Sequence, residues 1–413
     1  MSLDSGRVLG EFRPGRSIYV QGAVGEPLAL HGILLAAPEA MAGVKVTGCF
    51  LPGINSFDYA ALHEGARLIT FMLPPAMRPS YEVGRTGVAA LAYSQIAERY
   101  SAGAPVDLAV LQVTPPDNQG LCSFGPCADF APLVWPRARR RLAFVNAALP
   151  RSRRGPTIPY AAIEVAIHVD GPFITTEAEA PTVQQLDISN HIAALIPDGA
   201  AVQTGIGAAP AAALAGLLHH RRLRVRSGMV TPGYRALDEA GALARGAGHV
   251  TGLALGPADF VSWAVRAFTF ADATITHGAH ALALSSPLFA INSALEVDLL
   301  GQANIERRGE RLVSGLGGAP DFARAARISP GGRGVLALPS TTRGGEVSRI
   351  VARLASPTVS IGREFADLVV TEHGVADLRG TCMDQRARAL VAIADPAHRS
   401  RLEGEWSSLR RRL

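Results

Sequence analysis

Short, nearly unbroken apolar runs alternate with helical segments along this chain, and many of the runs stop at glycine. "VDLAVLQV" (106–113) is the clearest of them. It is apolar on both faces, as a strand is when helices cover both sides of a parallel sheet. "SIYVQG", "GVKVTGCFL", "ARLITFML", "RLAFVNAAL", "AAVQTGIG", "LRVRSGM", "ATITHG", "LFAINSALEVDLLG", "GVLALPS", "TVSIG" and "DLVVTEHG" read as further strands. "EPLALHGILLAAPEAM", "GVAALAYSQIAERYSAG" and "AAPAAALAGLL" read as helices between them. This alternation predicts an α/β fold with mostly parallel sheets. At 413 residues the chain exceeds one ordinary core. A polar, irregular stretch from Val169 to Asp187 separates two halves of like pattern. Two similar open α/β domains are therefore expected, 1–185 and 186–413.

Composition narrows the class. Hydrophobic residues make up 48% and charged residues 18%, the balance of a well-buried globular enzyme rather than a disordered chain. No apolar run approaches the ~18 residues of a membrane span. "MSLDSGRVLGEF" lacks the apolar centre of a signal peptide, so a cytoplasmic protein is expected. Lys45 is the only lysine, and the bias to Arg, Ala and Gly fits a GC-rich bacterium. The basic runs "RARRR", "RSRR" and "RRR" carry no interleaved aromatics, so they read as solvated faces and not as a nucleic-acid surface. Cys49, Cys122, Cys127 and Cys382 form no CxxC pair, which argues against zinc. Cys122 in "GLCSFG" reads as a small buried residue rather than a nucleophile. His277 and His280 in "THGAH" lack an acidic third ligand, so no metal is expected.

Several motifs have the make-up of a site. In "VQTGIGAAP", Gly205 and Gly207 let backbone N–H groups approach a ligand at a helix start, with Ile206, Ala208 and Ala209 completing the turn. A phosphate or oxyanion is the natural ligand there, and a plain strand-to-helix turn is the equal alternative. "SGLGGAPDF" presents Gly317 and Gly318 side by side, which suits a thioester oxyanion or a close ligand. "INSALEVDLLGQ" carries Asn292, Glu296, Asp298 and Gln302, either site groups or buried acceptors. Glu372, His373, Asp377 and Arg379 in "VVTEHGVADLRG" read first as a carboxylate–arginine network that locks the last segment.

Taken in order, "VTPPDNQGLCSFG", "FVNAALP", "DGAAVQTGIGAAP", "INSALEVDLLGQA", "SGLGGAPDFARAA", "SPGGRGVLALPSTT", "GGEVSRIV" and "TEHGVADLRG" resemble the acetyl-CoA hydrolase/transferase family, over nearly the whole chain. The resemblance implies the class I CoA-transferase fold, in which two similar α/β domains share a site. It implies a ping-pong route through a glutamyl–CoA thioester. It implies coenzyme A as substrate or product rather than a permanent cofactor, with an acyl-CoA and a small carboxylic acid as partners. A homodimer or homotetramer is the assembly it implies. Gly205 to Ala209 correspond to a CoA-binding turn, Gly317 and Gly318 to a CoA or oxyanion contact, and Leu295 and Glu296 to the wall of the CoA channel.

One departure bears on the chemistry. The family's nucleophilic glutamate follows the strand after the GIG turn, within Ser-Glu-Met or Thr-Glu-Met. Here the text is Ser227-Gly228-Met229, and Gly228 takes the nucleophile's position without a gap. Phe144 stands where the family commonly has glutamate, and Ala319 where it has glutamine. Three readings follow. An ordinary CoA-transferase would need another carboxylate, with Glu296 as the candidate substitute. A repurposed enzyme would hydrolyse, transfer or decarboxylate a bound acyl group without the glutamyl step, and Phe144 would suit an apolar acyl chain. A non-catalytic CoA-binding or partner subunit would keep the glycine cradle alone. The second is favoured.

Overall fold

The structure is a computed structural model that describes residues 3–177 and 182–412. Residues 178–181, part of the polar stretch read as a boundary, lie outside the described residues. The chain divides into two compact units. The first is Met1–Glu177 with Val250–Thr276 and Val313–Gly317, and the second is Ala178–His249 with His277–Leu312 and Gly318–Leu413. The division is not the contiguous 1–185 and 186–413 of the sequence reading, because two later segments pack into the first unit.

The first unit is built on a seven-stranded sheet. Its strands are β1 (Ser17–Val20), β2 (Lys45–Gly48), β3 (Arg67–Thr70), β4 (Thr86–Val88), β5 (Leu108–Val113), β6 (Arg140–Asn146) and β7 (Val165–Val169). They run β4–β3–β2–β1–β5–β6–β7, all parallel. Every residue of β5 is buried, which is what its apolar run required. The second unit repeats the plan. Its strands β8 (Ala201–Thr204), β9 (Arg224–Val230), β10 (Leu288–Ser293), β11 (Arg333–Ala337) and β12 (Leu368–Thr371) run β9–β8–β10–β11–β12 in parallel. β13 (Gly374–Asp377) closes that edge antiparallel to β12. In each unit the first strand sits inside the sheet, the second pairs on one side and a later strand on the other. The crevice where strand order reverses lies at the carboxyl ends of β8, β9 and β10, the usual ligand position in open α/β sheets.

Three local expectations differ from the structure. "LFAINSALEVDLLG" is not one strand: β10 stops at Ser293, and Glu296–Asp298 joins a separate small sheet with Ala303–Asn304 and Ile350–Val351. "TVSIG" contributes only an isolated bridge, Ile361 to Ala303. "ATITHG" is a turn of α-helix, Ala273–Thr276. Its β-branched residues suggest a strand, but Asp272 accepts hydrogen bonds from the Thr274 amide and hydroxyl and so starts a helix. No helix of the described residues is long and apolar enough to cross a membrane.

Within the first unit, Asp129 is buried at 6% exposure, bridged to Asp272 and close to Cys49, Cys127 and Tyr93. Burial, then the Asp272 charge, pushes its carboxyl up from 3.8 to about 8. Between those two values the folded protein keeps a proton that the unfolded chain has released. This contribution to stability is complete below pH 3.8 and is lost as pH rises through 8. Asp129→Asn carries no such loss. Its melting temperature relative to wild type should rise steadily from pH 4 to pH 8.5 in thermal unfolding scans, and a pH-independent difference would contradict the assignment.

Candidate active site

Polar side chains gather at the carboxyl ends of β8, β9 and β10. Gln203 and Asn292 exchange hydrogen bonds across β8 and β10, at 3.3 and 3.1 Å. The Thr204 hydroxyl meets the Tyr234 hydroxyl at 3.0 Å, and Ser227 donates to the Thr204 carbonyl at 3.3 Å. Burial pushes the Tyr234 phenol up to about 12, so it stays protonated. All of these groups are uncharged. Buried polar groups in such a place are tolerated because each is hydrogen-bonded.

The GIG turn follows β8 and leads into α1 (Ala208–Gly216). Its two glycines are needed for different reasons. A side chain on Gly205 would collide with Asn292 Oδ1, so β10 excludes it. Gly207 has φ 132° and ψ 159°, a conformation that L residues avoid, and a side chain there would also meet Ser293 Oγ. The turn therefore packs closely on the end of β10. Its outer side stays open: Ile206 is 47% exposed, Gly207 and Ala208 are exposed, and Gly207 offers no side-chain cap to α1. The structure shows the tight turn fixed by packing, with an exposed side at Ile206 to Ala208.

Gly228 lies near the end of β9 and is buried. The three atoms nearest to a methyl placed on it all belong to His277, with Cε1 at 2.5 Å and Nε2 at 2.6 Å. Gly318, the N-cap of α2 (Ala319–Ile328), faces the same ring: a methyl there would lie 2.5 Å from His277 Nε2 and collide with Cδ2. Phe322 of α2 packs on the imidazole at 4.9 Å between ring centres. His277 is 4% exposed, and burial drives its pKa down to about 3, so the ring is neutral at ordinary pH. Sequence reasoning weighed His277 only as a metal ligand and missed this. Among the described residues no group of three or more His, Cys, Asp or Glu could hold a metal ion.

The other acidic candidates are engaged. Glu296 accepts from Asn304 Nδ2 at 3.3 Å and from the Ala355 amide at 3.0 Å. Leu295 donates its amide to the Asn304 carbonyl, so Leu295 and Glu296 are both tied into the small sheet. Asp298 accepts from the amides of Leu300 and Gln302 and from the Gln302 side chain, and it closes a turn. Glu372 is held by the Ser340 amide and hydroxyl, at 2.9 and 2.6 Å, and by Gln184. Burial alone would raise its carboxyl, but these hydrogen bonds outweigh it and keep the group below the usual range. The hydrogen bonds on the Glu372 carboxylate thus come from Ser340 and Gln184, with Arg349 acting on it only through its charge. Phe144 is fully buried in β6 and offers no surface to an acyl chain. Burial raises the Cys122 thiol, which is the opposite of an activated nucleophile. Gly317 has φ 58°, so it needs glycine for its backbone alone.

The backbone of the GIG turn supplies a direct check on this geometry. Gly207→Ala should lower stability by about 1–3 kcal/mol in denaturant unfolding, because the new residue must hold a glycine-only conformation. A neutral result would show that the turn has another conformation.

Residues 258–406 match the acetyl-CoA hydrolase/transferase C-terminal domain. The chain is 31% identical over 398 residues to the 4-hydroxybutyrate coenzyme A transferase of Clostridium kluyveri, across 93% of this chain and 92% of that protein. It superposes on the 4-hydroxybutyrate CoA-transferase of Porphyromonas gingivalis with a TM-score of 0.81 and 28% identity, over 99% of this chain and 97% of that one. RipA from Yersinia pestis, at 23% identity, shares the fold with a TM-score of 0.91 over 99% and 97% of the two chains. With its two open parallel sheets and this extent of likeness, the chain belongs to the acetyl-CoA hydrolase/transferase family.

Proposed function

We propose that the protein binds a CoA thioester and acts on it without a glutamyl–CoA intermediate, by hydrolysis, acyl transfer or decarboxylation of the acyl group. The observation that carries this reading is the filled position at Gly228, where the imidazole of His277 takes the room a side chain would need. Membership of the family supports a CoA thioester as the ligand class. The turn from Gly205 to Ala209, exposed at Ile206, Gly207 and Ala208, is the segment we assign to CoA, and Gly317 and Gly318 the groups near the thioester. In the hydrolytic form, a water oxygen bonds to the acyl carbon, the C–S bond breaks and CoA leaves as the thiolate. The water proton ends on the solvent or on the leaving sulfur.

An ordinary CoA-transferase working through Glu296 is the competing reading, and both oxygens of that carboxylate already accept hydrogen bonds. Cytoplasmic location and assembly as a homodimer or homotetramer, measurable by light scattering, belong to the same proposal.

The protein should be incubated with a panel of acyl-CoAs and then borohydride, with thiol release followed in parallel. Turnover with no reduced glutamyl residue in the mass spectrum is expected. A reduced glutamate in the wild type would overturn the reading, and its loss in Glu296→Gln would establish the competing one. Tight CoA binding with no turnover would identify a binding subunit instead.

A further inference from the structure

Two glycines far apart in sequence lack a side chain for one shared reason. Gly228 sits inside an extended strand, where any residue fits the backbone. Gly318 has φ −91° and ψ −4°, which is equally open to other residues. Neither position demands glycine by conformation. At both, the excluded volume belongs to the same imidazole, and the atom common to both is Nε2, at 2.6 Å from a methyl on Gly228 and 2.5 Å from one on Gly318. Nδ1 stands farther back, at 3.7 Å from the methyl on Gly228. The ring thus enters edge-first, with its Cε1–Nε2–Cδ2 edge between the two glycines and Phe322 against it. Its near-complete burial and its contacts with Gly228, Gly318 and Phe322 leave little room for the ring to swing aside.

We propose that His277 occupies the place of the side chain absent at 228, so that residues 228 and 277 form one coupled unit which keeps an enzyme carboxylate out of the site. His277 is then the residue that determines which thioester chemistry is open to the protein, and restoring a glutamate at 228 is not enough to recover the glutamyl route. This rests on the proposed function for its chemical consequence, but the coupling itself does not involve CoA.

The first experiment therefore omits CoA. Gly228→Ala, His277→Ala and the double variant are unfolded in denaturant and by heat. Gly228→Ala should lower the melting temperature by several degrees in the wild-type background. In the His277→Ala background the same change should lose at least half of its effect, because the vacated ring space accepts the methyl. His277→Asn serves as a second background if His277→Ala does not fold. A Gly228→Ala protein that folds only when His277 is replaced is the same result in extreme form. Additive effects overturn the inference whatever the chemistry shows.

The second experiment adds an acyl-CoA and borohydride to Gly228→Glu and to Gly228→Glu/His277→Ala. In the glutamyl route the carboxylate oxygen bonds to the acyl carbon and the C–S bond breaks, releasing CoA thiolate. The thiolate then attacks the glutamyl carbonyl, the acyl group departs as a carboxylate, and a glutamyl–CoA thioester remains for borohydride to reduce. The reduced residue should appear in the double variant and be absent, or at least tenfold weaker, in Gly228→Glu. Equal yields in the two variants, or none in a folded double variant that binds CoA, would overturn the determining role of His277. If the wild type binds no CoA thioester, the proposed function falls and the stability cycle alone decides this inference.

Discussion

The seating of one imidazole between two glycines sets the limits within which the candidate site must work. His277 takes up the space above Gly228 of β9 and Gly318 at the start of α2, and Phe322 of the same helix packs on it. Protein interiors are close-packed, so a ring held on several sides acts as a fixed wall and not as a movable neighbour. Position 228 is small because 277 is large, and 318 is small for the same reason. The remaining polar groups at this end of the sheet, Gln203, Thr204, Ser227, Tyr234 and Asn292, satisfy one another.

Glycine carries several separate meanings within this short region. Gly207 and Gly317 need it for their dihedral angles. Gly205 gives way to Asn292, and Gly228 and Gly318 give way to His277. A sequence shows all five as the same letter. Reading them all as close approaches to a ligand assigns to an absent molecule the space that, at four of them, a side chain of the protein itself already fills. The stretch Ile206 to Ala208 is different, since it is exposed, while the Gly205 amide is already taken by the Ile291 carbonyl.

Much of the architecture was legible in residue patterns. The wholly apolar β5, the glycine-ended strands and the repeat of strand and helix required parallel α/β sheets, and both sheets have the same winding. The collinear motifs pointed to the family that the comparisons support. What stayed hidden was non-local. "ATITHG" has strand-like residues, and only the Asp272 side chain, bonding to Thr274, turns it into helix. "INSALEVDLLG" looks continuous, yet its acids leave the main sheet and become acceptors for Asn304, Ala355 and Gln302. The return of Val250–Thr276 and Val313–Gly317 to the first unit also depends on packing rather than on composition. His277 is separated from both of its glycines by dozens of residues, so no local pattern could announce the contact.

Electrostatics makes the same demand as volume. A carboxylate nucleophile has to be ionised to attack, and a carboxyl group buried without a cation takes up a proton instead. Asp129 in the first unit shows the effect within this chain, with its carboxyl pushed up to about 8 by burial and a neighbouring acid. The group set against Gly228 is an imidazole that burial keeps neutral, with its pKa lowered to about 3. A glutamate set against that ring would lack the space for its stem, and the neutral imidazole would not hold its anion. Removing the ring opens the space that the stem requires. The absence of an acid at 228 and the presence of a neutral ring at 277 are therefore two sides of one arrangement, and each is physically intelligible only with the other in place.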